Sequence, residues 1–201
     1  MSEGEVEKFL SFYSSVFGRK IMNSEADIIA EKLRNCDKVL SIGCGIGSVG
    51  KRIEDLEIVY LDNSYSMVSE LKKRIGGAFV VLGEAERMPF KDDVFSCAYS
   101  VTGLEFIEDL ELAFREIDRI LDSEGKMLAM MLNPYSDYFK SHVENEESYF
   151  SKICYHPKEV AEYMGNYFST EREYFLGIEE KEIFTTERPE KASLYVVSGE
   201  K

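Results

Sequence analysis

The chain has 201 residues, 44% of them apolar, which suits one ordinary globular domain with a real core. Its formal net charge of −14 repels phosphate backbones at long range, so nucleic acid is disfavoured as a substrate. No apolar run is long enough to span a bilayer, and the polar, acidic stretch from Met1 to Lys8 does not read as a signal peptide. The cysteines, Cys36, Cys44, Cys97 and Cys154, are scattered without ligand spacing, which reads as a reduced, cytoplasmic protein with no metal site.

In chain order, Val6, Phe9, Leu10, Tyr13, Val16 and Phe17 predict an amphipathic helix over residues 5–17. A second helix is expected from Ser24, as N-cap, to Leu33. Lys38 to Ile42 is a short apolar strand that runs straight into Gly43-Cys44-Gly45-Ile46-Gly47, and residues 48–56 look helical. Ile58 to Leu61 is a second strand ending at Asp62, and the helix over 64–75 is stopped by Gly76 and Gly77. Strands are expected at 78–82 and 93–99, then a secure helix over 110–121 and a fifth strand over 126–132. Met127, Met130 and Met131 in that last strand read as a strand buried on both faces rather than as a cofactor pocket.

Strict β/α alternation over roughly the first 130 residues predicts a doubly wound, mostly parallel sheet with helices on both faces. The remainder changes character. Residues 133–156 are polar, aromatic and acidic, a helix follows from Pro157, and strands near 172–176 and 193–197 complete seven as an antiparallel hairpin at the sheet edge. The chain is thus read as one domain: N-terminal helices over 1–35, a binding core over 36–132, a cap over 133–156, and a C-terminal helix with edge strands over 157–201.

The chemistry concentrates in the glycine loop. Glycines admit positive φ and let a ligand lie against bare main chain. Asp62, at the end of the neighbouring strand, is placed to accept hydrogen bonds from two ribose hydroxyls. Val39 to Gly47 resembles the first motif of class I S-adenosylmethionine-dependent methyltransferases, commonly written VLDIGCGTG. Residues 58–67, IVYLDNSYSM, are similar to that family's second motif, and residues 83–95, GEAERMPFKDDVF, to its GDAExLPFxDxSF segment. With the helix and strand of 103–132, the resemblance covers residues 38–132 in the right order and spacing, and the chain is similar to the ubiquinone/menaquinone-biosynthesis branch.

The resemblance implies a Rossmann-like fold, S-adenosylmethionine as cofactor and S-adenosylhomocysteine as product. It places Ser41, Gly43, Cys44, Gly45 and Gly47 against the methionine and ribose portions and Asp62 on the ribose hydroxyls. Asn63 and Met67 fall near the adenine, Glu84, Ala85 and Glu86 along the purine, and Ser100 and Val101 near the sulfonium. Ser41 departs from the family's usual Asp or Glu, which removes charge assistance from a cofactor contact; Ile46 replaces Thr. Methyl transfer needs a general base only when the nucleophile carries a proton that must leave. Tyr13, Glu105, His142 and His156 are the candidates, and the aromatics of 133–156 suggest a wall for a small organic acceptor. Two rival readings remain: a non-catalytic cofactor-binding or partner subunit, suggested by Ser41, and a dinucleotide enzyme, suggested by Gly45-x-Gly47-x-x-Gly50. In the second, Asp62 arrives early for the usual spacing.

Overall fold

The fold was described from a computed structural model, which covers residues 3–53, 56–143 and 152–201. Two helices lead the chain, α1 (Glu3–Ser14) and α2 (Val16–Lys32). Their junction differs from the sequence expectation. Ser15, not Ser24, caps α2, its hydroxyl accepting the Gly18 N–H at 2.9 Å. The chain turns so tightly here that a Cβ on Gly18 would collide with the Phe12 carbonyl, so the first helix stops at Ser14 and Ser24 lies inside the second.

The core keeps the predicted order of strands. β1 (Lys38–Ile42), β2 (Glu57–Asp62), α3 (Tyr65–Arg74), β3 (Phe79–Leu82), β4 (Phe95–Val101), α4 (Leu110–Ile120) and β5 (Leu121–Leu132) follow one another. Among the described residues no α-helix stands between β1 and β2 or between β3 and β4, so the alternation is not strict. Among the described residues of 48–56 the expected α-helix does not form; a 3-10 turn at Gly50–Arg52 takes its place. The reason is close approach: a Cβ on Gly50 would stand 2.7 Å from the Tyr60 ring and 2.8 Å from the Tyr99 hydroxyl. The segment is pressed onto the sheet, where a helix of normal diameter has no room.

After β5 come α5 (Asp137–Val143), inside the stretch read as a cap, then α6 (Pro157–Gly165), β6 (Ser169–Glu179), β7 (Glu182–Phe184) and β8 (Ala192–Glu200). The sheet has eight strands in the order β3-β2-β1-β4-β5-β8-β6-β7. The first five are parallel, and β8 runs antiparallel between β5 and β6. The expected C-terminal hairpin is therefore present, but β8 is an interior strand. The short β7, which the charged stretch before residue 192 did not signal, adds the eighth strand at the edge.

Successive residues of each central strand serve opposite cores. Leu40, Val59, Ala98, Met127 and Met131 face α4 and α6, whereas Val39, Tyr60, Cys97, Leu128 and Met130 face α2 and α3. Burial on both faces is what a parallel sheet with two helix layers requires, and it accounts for the methionines of β5. Cys36, just before β1, is joined by a disulfide to Cys97 in β4, with the Cα atoms 5.9 Å apart. This corrects the expectation of four reduced cysteines: residues 61 apart in sequence become neighbours once β1 pairs with β4. Among the described residues no helix is long and apolar enough to cross a membrane.

Candidate functional site

β1 feeds β2 on one side and lies against β4 on the other, so the chain direction of the crossovers reverses between β1 and β4. In an open α/β sheet the carboxyl ends of the strands at such a switch point diverge and leave a crevice. A cleft of about 580 Å³ lies there, a volume suited to a ligand of cofactor size.

Its floor is the glycine loop. Gly43, Gly45 and Gly47 adopt φ of 64°, 54° and 69°, in the left-handed region that L side chains rarely enter. A Cβ at Gly45 would meet nothing within 4 Å, so the loop presents bare backbone to open space. Asp62 ends β2 beside it. One carboxylate oxygen accepts the Gly45 N–H and the other the Ser64 N–H, both at 2.8 Å. Burial raises the Asp62 pKa above the ordinary range, and these two N–H donors partly offset it. A carboxylate has about four acceptor sites, so two bonds leave capacity for a ligand.

Cys44, inside the loop, has its thiol pushed well up by burial and by the charge of Asp62, which disfavours the thiolate. Tyr60 and Tyr99 underlie the loop; burial pushes Tyr60 up to about 12 and Tyr99 up as well. Ser48 lines the cleft with its buried hydroxyl lacking a partner among the described residues.

Most of the residues singled out in the sequence come together. Ser41, Gly43, Cys44, Gly45, Gly47, Asp62, Asn63, Met67, Glu84, Ala85, Glu86 and Val101 line the cleft. Ser100 does not. It is buried behind Gly103, where a Cβ would stand 2.7 Å from the Ser100 hydroxyl oxygen.

Of the candidate bases whose side chains are described, Tyr13 lines the cleft, brought there by α1 together with Phe9, and Glu105 and His156 do not. Glu105 is buried below the wall. One of its oxygens accepts the Leu132 N–H at 3.1 Å, the other has no partner among the described residues, and burial pushes its pKa up to about 7. His156 caps α6, its Nδ1 accepting the Lys158 N–H at 3.3 Å while Glu159 accepts the His156 N–H at 2.7 Å. The side chain of His142, like Tyr149 and Phe150, lies outside the described residues.

The aromatic lining also differs in origin from the expectation. Phe9, Tyr13, Tyr99 and Phe106 supply it, whereas Tyr135, Tyr138, Phe139 and Tyr155 pack elsewhere and Lys152 is the described residue of the 133–156 segment that reaches the cleft. That segment is nonetheless tied to the wall: Cys154 and Tyr155 donate backbone N–H groups to the Glu105 carbonyl at 2.8 and 3.2 Å, and the Tyr155 hydroxyl donates to the Glu108 carbonyl at 2.9 Å. Sequence reasoning missed Thr102, Gly103 and the turn from Phe106 to Asp109. Thr102 has φ of 48°, a conformation strained for a β-branched residue and invisible in local sequence; its N–H donates to the Met130 carbonyl at 2.7 Å.

Residues 40–129 match the family described as a methyltransferase domain. A sterol 4-C-methyltransferase of Caenorhabditis elegans is 33% identical over 131 residues, covering 60% of this chain and 38% of that protein. A demethylmenaquinone methyltransferase of Thermotoga maritima is 29% identical over 123 residues, covering 54% of each. The chain thus spans about half or less of these curated relatives. A crystal structure from Thermotoga maritima, of an S-adenosylmethionine-dependent methyltransferase described as a possible histamine N-methyltransferase, superposes with a TM-score of 0.80. It shares 22% identity, over 98% of this chain and 95% of that one, which shows the same fold.

Proposed function

We propose that the chain is a class I S-adenosylmethionine-dependent methyltransferase, which uses S-adenosylmethionine and releases S-adenosylhomocysteine, and that it methylates a small-molecule acceptor in the cleft above β1 and β4. The observation that carries the proposal is Asp62, a buried carboxylate held by the Gly45 and Ser64 N–H groups beside a loop of bare glycine backbone. The residues fit the cofactor: an acceptor for vicinal hydroxyls, a loop with space above it, and an orphaned Ser48 hydroxyl in the same wall.

Bound there, the cofactor supplies a methyl on a sulfonium whose departure leaves a neutral thioether. The chain's own part is alignment and exclusion of water. Asp62 takes the ribose hydroxyls, and Gly43, Gly45 and Gly47 pass beneath the ribose and methionine portions. Glu84, Ala85 and Glu86 flank the purine, with Asn63 and Met67 on its far side. Ser41 offers a neutral hydroxyl to the amino end, and Val101 and Thr102 form the wall at the reacting methyl. Phe9 and Tyr13 close the cleft from α1, and the Tyr13 hydroxyl is placed to hydrogen-bond and orient a protic nucleophile. The segment read as a cap stays on the acceptor side in this proposal; the bonds of Cys154 and Tyr155 to the Glu105 and Glu108 carbonyls support this. A cytoplasmic location is part of the same proposal. The free thiol of Cys44 at the loop supports it, and the Cys36–Cys97 bond is buried away from reductants.

The test is calorimetric titration with S-adenosylhomocysteine and with NAD on the wild type and on Asp62→Ala. Saturable binding of the former alone, lost in the variant, is expected; binding of NAD instead would replace the proposal with the dinucleotide reading. Ser41 favours one second reading, a cofactor-binding subunit without turnover. Absence of S-adenosylhomocysteine formation across a broad acceptor panel, with cofactor binding intact, would establish it.

A further inference from the structure

The turn from Glu84 to Arg87 is pinned at both ends. At its start the Gly83 N–H donates to the Asp62 carbonyl at 3.0 Å, which fixes it to β2. Within it the Arg87 N–H donates to the Glu84 carbonyl at 3.3 Å. At its end the Met88 N–H donates to Glu116 at 2.7 Å, and Arg119 donates to the carbonyls of Met88 at 3.2 Å and Phe90 at 2.9 Å. Both of these side chains stand on α4.

The Arg119 fork is fully used. Nε and one Nη make a bidentate pair with Glu116 at 2.8 and 2.7 Å; the other Nη reaches the Phe90 carbonyl and, at 2.7 Å, Asp92. The pairing holds the Glu116 carboxyl below its usual range, chiefly through the hydrogen bond from Arg119. Glu116 and Arg119 do not line the cleft, whereas Gly83, Glu84, Ala85 and Glu86 do. The clamp therefore acts on the cleft only through the turn. Its geometry needs a planar five-donor group, which a lysine ammonium cannot reproduce.

We propose that Glu116 and Arg119 are positioning residues that set the height of the Glu84–Glu86 turn relative to Asp62, and so give the site its choice of purine base. The inference rests on the proposed function, in which that turn flanks the base and Asp62 the ribose. A base edge is read by hydrogen bonds that fail when the turn shifts by a fraction of an ångström, whereas the ribose contact at Asp62 has its own anchors.

The experiment is calorimetric titration of wild type, Arg119→Lys and Glu116→Gln with S-adenosylhomocysteine and with S-inosylhomocysteine, which differs in the base edge alone. The wild type is expected to favour the adenosyl form about tenfold, the value of one hydrogen bond, and both variants to lose most of that preference. An unchanged preference in the variants overturns the inference, as does an equal loss of both ligands, which marks the clamp as merely structural. If Arg119→Lys does not fold, Glu116→Gln, which keeps an acceptor for the Met88 N–H, carries the comparison alone. A wild type that binds both ligands equally overturns the inference and leaves the proposed function standing; one that binds neither overturns the proposed function itself.

Discussion

The Gly45 N–H donates to Asp62 across 2.8 Å, so the carboxylate that faces the cleft also ties the loop after β1 to the end of β2. Binding and loop order are thus coupled in one side chain. Asp62→Ala is expected to weaken S-adenosylhomocysteine binding by about 100-fold and to destabilise the fold by about 1–3 kcal/mol, because two N–H donors lose their acceptor. Calorimetry and denaturant melts measure the two effects separately. A variant that binds normally would remove Asp62 from the ligand.

The two glycines Gly45 and Gly50 should fail in different ways. A methyl at Gly45 meets open space, so Gly45→Ala is expected to fold, with about 1 kcal/mol of strain from its positive φ, and to lose ligand affinity. A methyl at Gly50 meets the Tyr60 ring and the Tyr99 hydroxyl, so Gly50→Ala is expected to lose about 1–3 kcal/mol through overpacking. Equal melting temperatures for the pair would contradict the packing described.

Glu25 in α2 and Glu105 below the cleft are buried, and burial pushes them up to about 8 and about 7 from an ordinary value of 4.5. The folded chain therefore holds these protons more tightly than the unfolded chain. Their favourable contribution is fully present below about pH 4.5 and is lost as pH rises toward 7 for Glu105 and 8 for Glu25. A tenfold difference in proton affinity between the two states corresponds to about 1.4 kcal/mol. Glu25→Gln and Glu105→Gln are expected to flatten the fall in stability between pH 5 and pH 8. Parallel stability curves for the variants and the wild type would show that neither group titrates in that window.

The Cys36–Cys97 disulfide closes a loop of 61 residues, which corresponds to about 4 kcal/mol of lost unfolded-state freedom. Alkylation of the unfolded, unreduced chain should label two cysteines, Cys44 and Cys154, and prior reduction should expose all four. Cys36→Ser should melt well below the wild type under non-reducing conditions. Four labelled cysteines without reductant would mean that the bond does not form.

Much of the site was legible because its signals are local. A strand that runs into Gly43-Cys44-Gly45 and a second strand that ends on Asp62 report, by themselves, a bare loop with an acid beside it. Ser100, which the resemblance places near the sulfonium, does not line the cleft, because Gly103 folds back over it. Glu105 is a candidate base in the sequence, but its side chain turns inward to the Leu132 N–H, which is remote in sequence.

Hydrophobic period and turn chemistry by themselves determined the order of the core strands, the double-sided burial of the strands, and the loop with its acid. Each depends on residues within a few positions of one another, where sterics and backbone hydrogen bonding act directly. Tertiary structure decided the rest: the insertion of β8 between β5 and β6, the joining of Cys36 to Cys97, the wall made by Phe9 and Tyr13, and the clamp of Glu116 and Arg119 on Met88. These are choices among distant partners. The free energy of such a contact depends on what the whole chain buries together, which no window of sequence contains.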